Sequence, residues 1–166
     1  MADNEKKLFP PVSLEFLRTH SLFGGIKDDE LKKIRELLKY RQFNAGEDII
    51  REGEAGGNLY LIWKGSVEVI KRDPEKPGRP AARLAVLTVG DSFGEMELID
   101  VQPSAATVRS REETVTLVLT KGDLYRIEKE SLRTFTMIIM NLAREISRRL
   151  RVMDATAAHT LFRNTN

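Results

Sequence analysis

The chemistry this chain is equipped for is concentrated between Gly90 and Val108, in the run Gly90-Asp91-Ser92-Phe93-Gly94-Glu95-Met96-Glu97-Leu98-Ile99-Asp100-Val101-Gln102-Pro103-Ser104-Ala105-Ala106-Thr107-Val108. Read locally, it is a strand end, a glycine turn, one turn of helix, and a loop returning through Pro103 into another strand. A short helix beside a glycine offers backbone N–H groups that have no intrahelical acceptor, an arrangement that receives anions. Gly94 lets a ligand come close to the backbone. Glu95, Glu97 and Ser104 add two carboxylates and a hydroxyl.

Groups for reacting with a ligand are missing. His20 and His159 sit at opposite ends of the chain and form no metal-ligand pattern. Solvated or capping roles are expected for both. No nucleophile elbow or Walker loop occurs, and no dinucleotide fingerprint follows a strand. The glycine-rich Gly53-Glu54-Ala55-Gly56-Gly57-Asn58 joins two strand-like runs and reads as a β-turn. No carboxylate pair stands out as an acid/base couple. With no cysteine, disulfides, thiolate metal sites and thiol nucleophiles are excluded. The expectation is a protein that is not an enzyme and has no resident cofactor or metal.

The elements that must position this run change character twice along the 166 residues. Residues 1–11 read as a flexible lead-in ending at Pro10-Pro11. A short helix follows from Val12 to Leu22, stopped by Gly24-Gly25. Asp28-Asp29-Glu30 opens a second helix with acid at its positive end, and Leu31, Ile34, Leu37 and Leu38 give it an apolar face. From Tyr40 the pattern becomes short β-type runs: 48–50, 59–63, 66–70, 84–87, 106–108 and 114–119. Glycines at 46, 53, 65, 78 and 90 divide them, which reads as an all-β barrel or sandwich. Trp63-Lys64-Gly65-Ser66 reads as a tight hairpin. Asp73 to Pro80 is an exposed hairpin loop. Helical spacing returns at Lys121–Glu130 and again from Ser131 to about Asp154. There Leu132, Phe135, Ile139, Leu142, Ile146, Leu150 and Met153 form one seam that could meet a twin helix. The tail, 155–166, is small and polar.

Apolar residues at 41% and charged residues at 31% suffice for one core. A net charge of +2 points to neither nucleic acid nor an anionic membrane. No apolar run is long enough to cross a bilayer and no signal peptide is visible, so cytoplasm is the expected compartment.

The run around Gly94 resembles the phosphate-binding cassette of the cyclic-nucleotide-binding domains, found in the catabolite activator protein, the protein kinase A regulatory subunit and cyclic-nucleotide-gated channels. Phe93-Gly94-Glu95-Met96, Leu98-Ile99, Pro103 and Ala105-Ala106-Thr107-Val108 match it in order and spacing. Supporting matches lie upstream at Leu22-Phe23, Gly46-Glu47, Glu52-Gly53-Glu54, Leu59-Tyr60-Leu61-Ile62 and Gly65-Ser66-Val67. The resemblance covers about residues 12–153. It implies a mainly β, jelly-roll-like β-roll of eight strands over 12–130, with N-terminal helices. A C-terminal lid or dimerisation helix would follow at 131–154. It also implies a ligand site at Phe93, Gly94, Glu95, Met96, Glu97, Ser104, Ala105 and Ala106, with Glu95 as acceptor for the ribose 2′-hydroxyl.

Two positions depart from the family pattern. The arginine that pairs with the cyclic phosphate is Ser104, and the small residue after Gly-Glu-Leu is Glu97. Losing a charge-assisted contact to a buried phosphate costs roughly 2–5 kcal/mol. If Glu97 faces the ligand, a carboxylate about 5 Å away adds roughly 3 kcal/mol of repulsion at an effective dielectric near 20; if it faces solvent, it only stabilises the short helix through its dipole. Even about 5 kcal/mol weakens binding by roughly three to four decades. Arg149, in Arg148-Arg149-Leu150-Arg151, aligns with a helix arginine that reaches toward the nucleotide; its alternative is a solvated basic face. Met153 and Asp154 stand where hydroxyls read the purine.

Three functions are open on these grounds. One is a sensor whose pocket has drifted away from cAMP and cGMP and which acts through the C-terminal helix, by conformational change or partner contact. Another is a working cyclic-nucleotide receptor. The third is a ligand-free dimerisation domain. The partners expected are a second copy through helix 131–154 and an unidentified effector. About a dozen residues after Asp154 are too few for a helix-turn-helix unit, so no sequence-specific DNA binding by this chain is expected.

Overall fold

The computed structural model describes residues 9–76, 78–100 and 102–163, with the side chains of Glu97 and of 161–163 left out. Residues 1–8 of the expected lead-in therefore lie outside the described residues. Phe9 and Pro10 are tied down. The Phe9 ring stacks on Tyr40 at 5.0 Å, and the Tyr40 hydroxyl donates to the Pro10 carbonyl at 2.7 Å.

Two short helical pieces come first, α1 (Leu14–Thr19) and the 3-10 turn Ser21–Phe23, followed by α2 (Asp28–Leu37). Ser13 caps α1, accepting from the Phe16 N–H at 3.1 Å. His20 caps the 3-10 turn in the same way, accepting at Nδ1 from the Leu22 N–H at 3.2 Å. Capping is thus the role His20 takes.

Eight strands follow: β1 (Lys39–Phe43), β2 (Asp48–Ile50), β3 (Asn58–Lys64), β4 (Ser66–Lys71), β5 (Ala82–Thr88), β6 (Ser92–Phe93), β7 (Thr107–Ser110) and β8 (Thr114–Thr120). The first pairs with the eighth, the second with the seventh, the third with the sixth and the fourth with the fifth, all antiparallel. One long hairpin has been rolled up, giving two four-stranded sheets in the orders β1-β8-β3-β6 and β2-β7-β4-β5. This nested pairing is the jelly-roll arrangement.

The rolled topology corrects one expectation. Trp63-Lys64-Gly65-Ser66 is not a hairpin, because β3 and β4 belong to different sheets. It is a corner where the chain passes from one sheet to the other. Gly65 has φ +86°, and a Cβ there would lie 2.6 Å from the Glu113 carbonyl oxygen, so only glycine makes this corner. The loop at 73–80 does close a hairpin, with Lys71 opposite Ala82.

β3 and β8 read as near-continuous apolar runs because both their faces are covered. Leu59, Leu61, Leu117 and Leu119 face a core built with Leu17, Phe23, Leu31, Ile34, Leu124, Ile127, Ile138 and Leu142 from the helices. Tyr60, Ile62 and Val118 face a second, smaller core inside the roll with Val67, Phe93 and Val108.

The chain ends in α4 (Lys121–Glu130), opened by a Thr120/Asp123 capping box, and α5 (Leu132–Arg163). α5 runs past the expected end at Asp154, so most of the supposed tail is helix. Small residues such as Ala155, Ala157 and Ala158 are good helix formers, and Thr156 and Thr160 bond back to the carbonyls four residues earlier. The expected single seam also divides. Leu142 is 1% exposed inside the protomer's own core, whereas Leu132, Leu150 and Met153 are exposed. No helix among the described residues is long and apolar enough to cross a membrane.

Candidate functional site

The cassette begins on β6. Phe93 is buried in the inner core with its ring stacked on Tyr60, centroids 4.9 Å apart and planes within 6°. Gly94 follows in the left-handed region, φ +84°. A Cβ there would fall 2.3 Å from the Asn58 carbonyl oxygen. The glycine is therefore required by the protein's own backbone, a tighter demand than the ligand approach expected from sequence. Its conformation turns the chain out of β6 into α3 (Glu95–Ile99).

α3 presents mixed surroundings. Glu95 is 7% exposed and Met96 is 56% exposed. The Glu97 side chain, for which ligand-facing and solvent-facing placements were both open, lies outside the described residues. Leu98 packs toward the helical core, whereas Ile99 is exposed.

The returning loop is fastened to the turn after β2. The Ser104 N–H donates to the Glu54 carbonyl at 2.9 Å, and the Gly53 N–H donates to the Ser104 carbonyl at 2.8 Å. Three residues on, the Thr107 hydroxyl accepts from the Glu52 N–H at 3.0 Å. Both backbone groups of Ser104 are thus satisfied, and the residue is 4% exposed with no hydrogen-bond partner for Oγ. A buried hydroxyl without a partner carries a desolvation cost that a bound ligand could relieve. Ser110 and Thr116 also lack hydroxyl partners, but they lie within the strands β7 and β8. Ala105 is exposed and its carbonyl accepts from Lys71 Nζ. Ala106 is half-buried.

Arg149 is where sequence reasoning fell short. It does not lie on a solvated basic face but reaches back to the cassette, where it already has a protein carboxylate as partner. Arg149 Nη1 donates to Glu95 Oε1 at 3.0 Å, Nη2 donates to the Ser92 carbonyl, and Nε lies 3.4 Å from Glu145 Oε1. One guanidinium thus joins α5 to both sides of Gly94. The signal that could have found it is the i,i+4 spacing of Glu145 and Arg149 together with a carboxylate in the apolar cassette, which demands a cation. Met153 lies one turn further along α5 and is exposed.

A family model, the cyclic nucleotide-binding domain, matches residues 40–131, more than half of the chain, and takes in the cassette but not α5. The chain belongs to that family. The cyclic nucleotide-binding domain of Methylobacillus flagellatus superposes with a TM-score of 0.73 at 25% identity, covering 83% of this chain and 76% of that one. In sequence, the cAMP-dependent protein kinase regulatory subunit of Emericella nidulans is 35% identical over 112 residues, 68% of this chain and 26% of the relative. The chain thus spans about a quarter of that relative's length.

Two further family structures come from trypanosome regulatory subunits of a cAMP-independent protein kinase A. The Trypanosoma cruzi protein, bound to guanosine, is 29% identical with a TM-score of 0.67, covering 79% of this chain and 43% of that one. The Trypanosoma brucei protein, 25% identical with a TM-score of 0.70 and 87% and 50% coverage, carries three substitutions and is bound to cAMP in its A site. These replace a Glu by Ala, a Thr seven residues later by Arg, and the adjacent Val by Ala. In this chain Glu97, Ser104 and Ala105 stand at the same spacing.

Proposed function

We propose that this domain is a regulatory module, not an enzyme, in which occupancy of the cassette moves α5, and that its affinity for cAMP and cGMP is weak. The observation that carries the reading is the contact of Arg149 with Glu95 and Ser92. A ligand that takes Glu95 as its hydroxyl acceptor competes with Arg149 for the same carboxylate. Occupancy and helix position are then two states of one element, biased by differential binding. The weak affinity follows from Ser104, whose hydroxyl cannot replace a guanidinium fork. The engineered trypanosome domain supports it, since its cAMP complex has Arg in place of a hydroxyl residue at the matching spacing. Met153, exposed one turn beyond Arg149, is the second α5 residue we place beside the ligand.

The output passes to a separate partner. α5 turns Met140, Leu150 and Met153 outward, and a twofold dimer through this face is the assembly we propose, with an unidentified effector. Sequence-specific DNA binding by these residues is not part of the reading.

The test is a thermal-shift titration with cAMP and cGMP on the wild type and on Ser104→Arg. At 100 times Kd a ligand adds about 2.7 kcal/mol, roughly 5–10 °C for a domain of this size. At micromolar nucleotide the wild type stays flat and Ser104→Arg responds. A wild-type shift of that size at micromolar nucleotide contradicts weak affinity and makes this a conventional receptor.

A further inference from the structure

We infer that the cassette takes an uncharged nucleoside, an inference that rests on the cassette being a ligand site. Three features of the site define the ligand class. First, the group at the phosphate position is the hydroxyl of Ser104, a residue 4% exposed, and it has no partner. A hydroxyl both donates and accepts, so it complements a sugar hydroxyl. It brings no charge to balance a phosphate.

Second, two cations beside the cassette are already committed. Arg149 serves Glu95, the Ser92 carbonyl and Glu145. Lys71 serves the Ala105 carbonyl and lies 3.5 Å from Glu52. A cyclic phosphate entering here brings a negative charge next to the buried Glu95 carboxylate, and drawing Arg149 onto that phosphate strips Glu95 of this partner. A neutral sugar adds no charge beside Glu95, and its diol donates to a carboxylate directly.

Third, the trypanosome pair supplies an independent comparison. One member, described as cAMP-independent, holds guanosine. The other, with a Glu replaced by Ala, a Thr by Arg and a Val by Ala, holds cAMP in its A site. Glu97 and Ser104 match the unsubstituted protein in spacing and chemistry, carboxylate then hydroxyl, while Ala105 matches the substituted one.

Isothermal titration calorimetry with guanosine, adenosine, uridine and cAMP, on the wild type and on the double variant Glu97→Ala/Ser104→Arg, tests this. Melting curves of both proteins accompany it to establish that each is folded. The expected result is that at least one nucleoside binds the wild type ten times more tightly than cAMP, and that the double variant reverses the order. Wild-type binding of cAMP as tight as any nucleoside overturns the inference and leaves the ligand-responsive module standing. No nucleoside binding to the wild type, with cAMP binding to the double variant, also overturns it while leaving a usable pocket. If neither protein binds any of the four, the inference and the ligand-site reading fall together.

Discussion

The two halves of α5 are one continuous helix with opposite surroundings. In the near half, up to Leu142, Thr134, Ile138, Asn141 and Leu142 are buried. Asn141 Nδ2 donates to the Leu22 and Gly24 carbonyls at 2.9 and 3.0 Å, and Thr134 reaches Glu30 at 3.2 Å. In the far half, from Ala143 on, Leu150, Val152 and Met153 are all more than half exposed, and the fastening to the roll runs through Arg149. The near half is held by the helical core, the far half by the cassette. A helix built this way can keep its base fixed while its outer turns answer to a ligand, which is how local opening and function come to share one element.

The sharpest way to break this comparison is to place a charge in each half. Leu142→Asp buries an unpaired carboxylate in the core and should cost about 4 kcal/mol or more in a denaturant melt. Leu150→Asp should stay within about 0.5 kcal/mol. If α5 is the dimer face, light scattering should show Leu150→Asp as a folded monomer. Equal costs for the two substitutions would erase the distinction between the halves.

Gly94→Ala attacks the ground on which the far half stands. The new methyl meets the Asn58 carbonyl in a left-handed backbone, so a loss of about 3 kcal/mol is expected, together with a displaced Glu95. A neutral outcome in thermal melts would mean that the β6–α3 corner is looser than its geometry.

The near half has a smaller, pH-dependent weakness. His20 caps the 3-10 turn whose carbonyls hold Asn141, and burial pulls its imidazole below the usual histidine range, against the weaker opposing influence of Asp91 and Glu145. The folded protein therefore binds this proton less readily than the unfolded chain. Stability should fall as pH drops below about 6.5, by at most about 1.4 kcal/mol per pH unit. Urea titrations across pH 5–7.5 should show this slope, and His20→Asn should flatten it.

Much of this architecture can be read from residues. The cassette's order of Gly94, Glu95, Pro103 and the following alanines located the roll's signature, and the β runs were found because sheet alternation and glycine turns are local signals. The Gly65 corner was misread because sequence shows that a turn occurs but not which sheet the next strand joins. The α5 seam was misread because 3-and-4 spacing marks an apolar stripe without saying whether its own core or a second copy covers it. Leu142 and Leu150 are equivalent by period and opposite by burial. The Arg149–Glu95 pair spans 54 positions. Only the fold brings such partners together, although a carboxylate in an apolar cassette announces that some cation must come.

The most direct test of a far half held through the cassette is hydrogen–deuterium exchange on Arg149→Ala beside the wild type. Removing the guanidinium takes away the Glu95, Ser92 and Glu145 contacts together, which for a partly exposed group is worth about 1–2 kcal/mol. The account predicts exchange about tenfold faster over 143–163, the equivalent of roughly 1.4 kcal/mol, with 132–142 unchanged. Unaltered exchange in the far half, or equal acceleration along the whole helix, would contradict it.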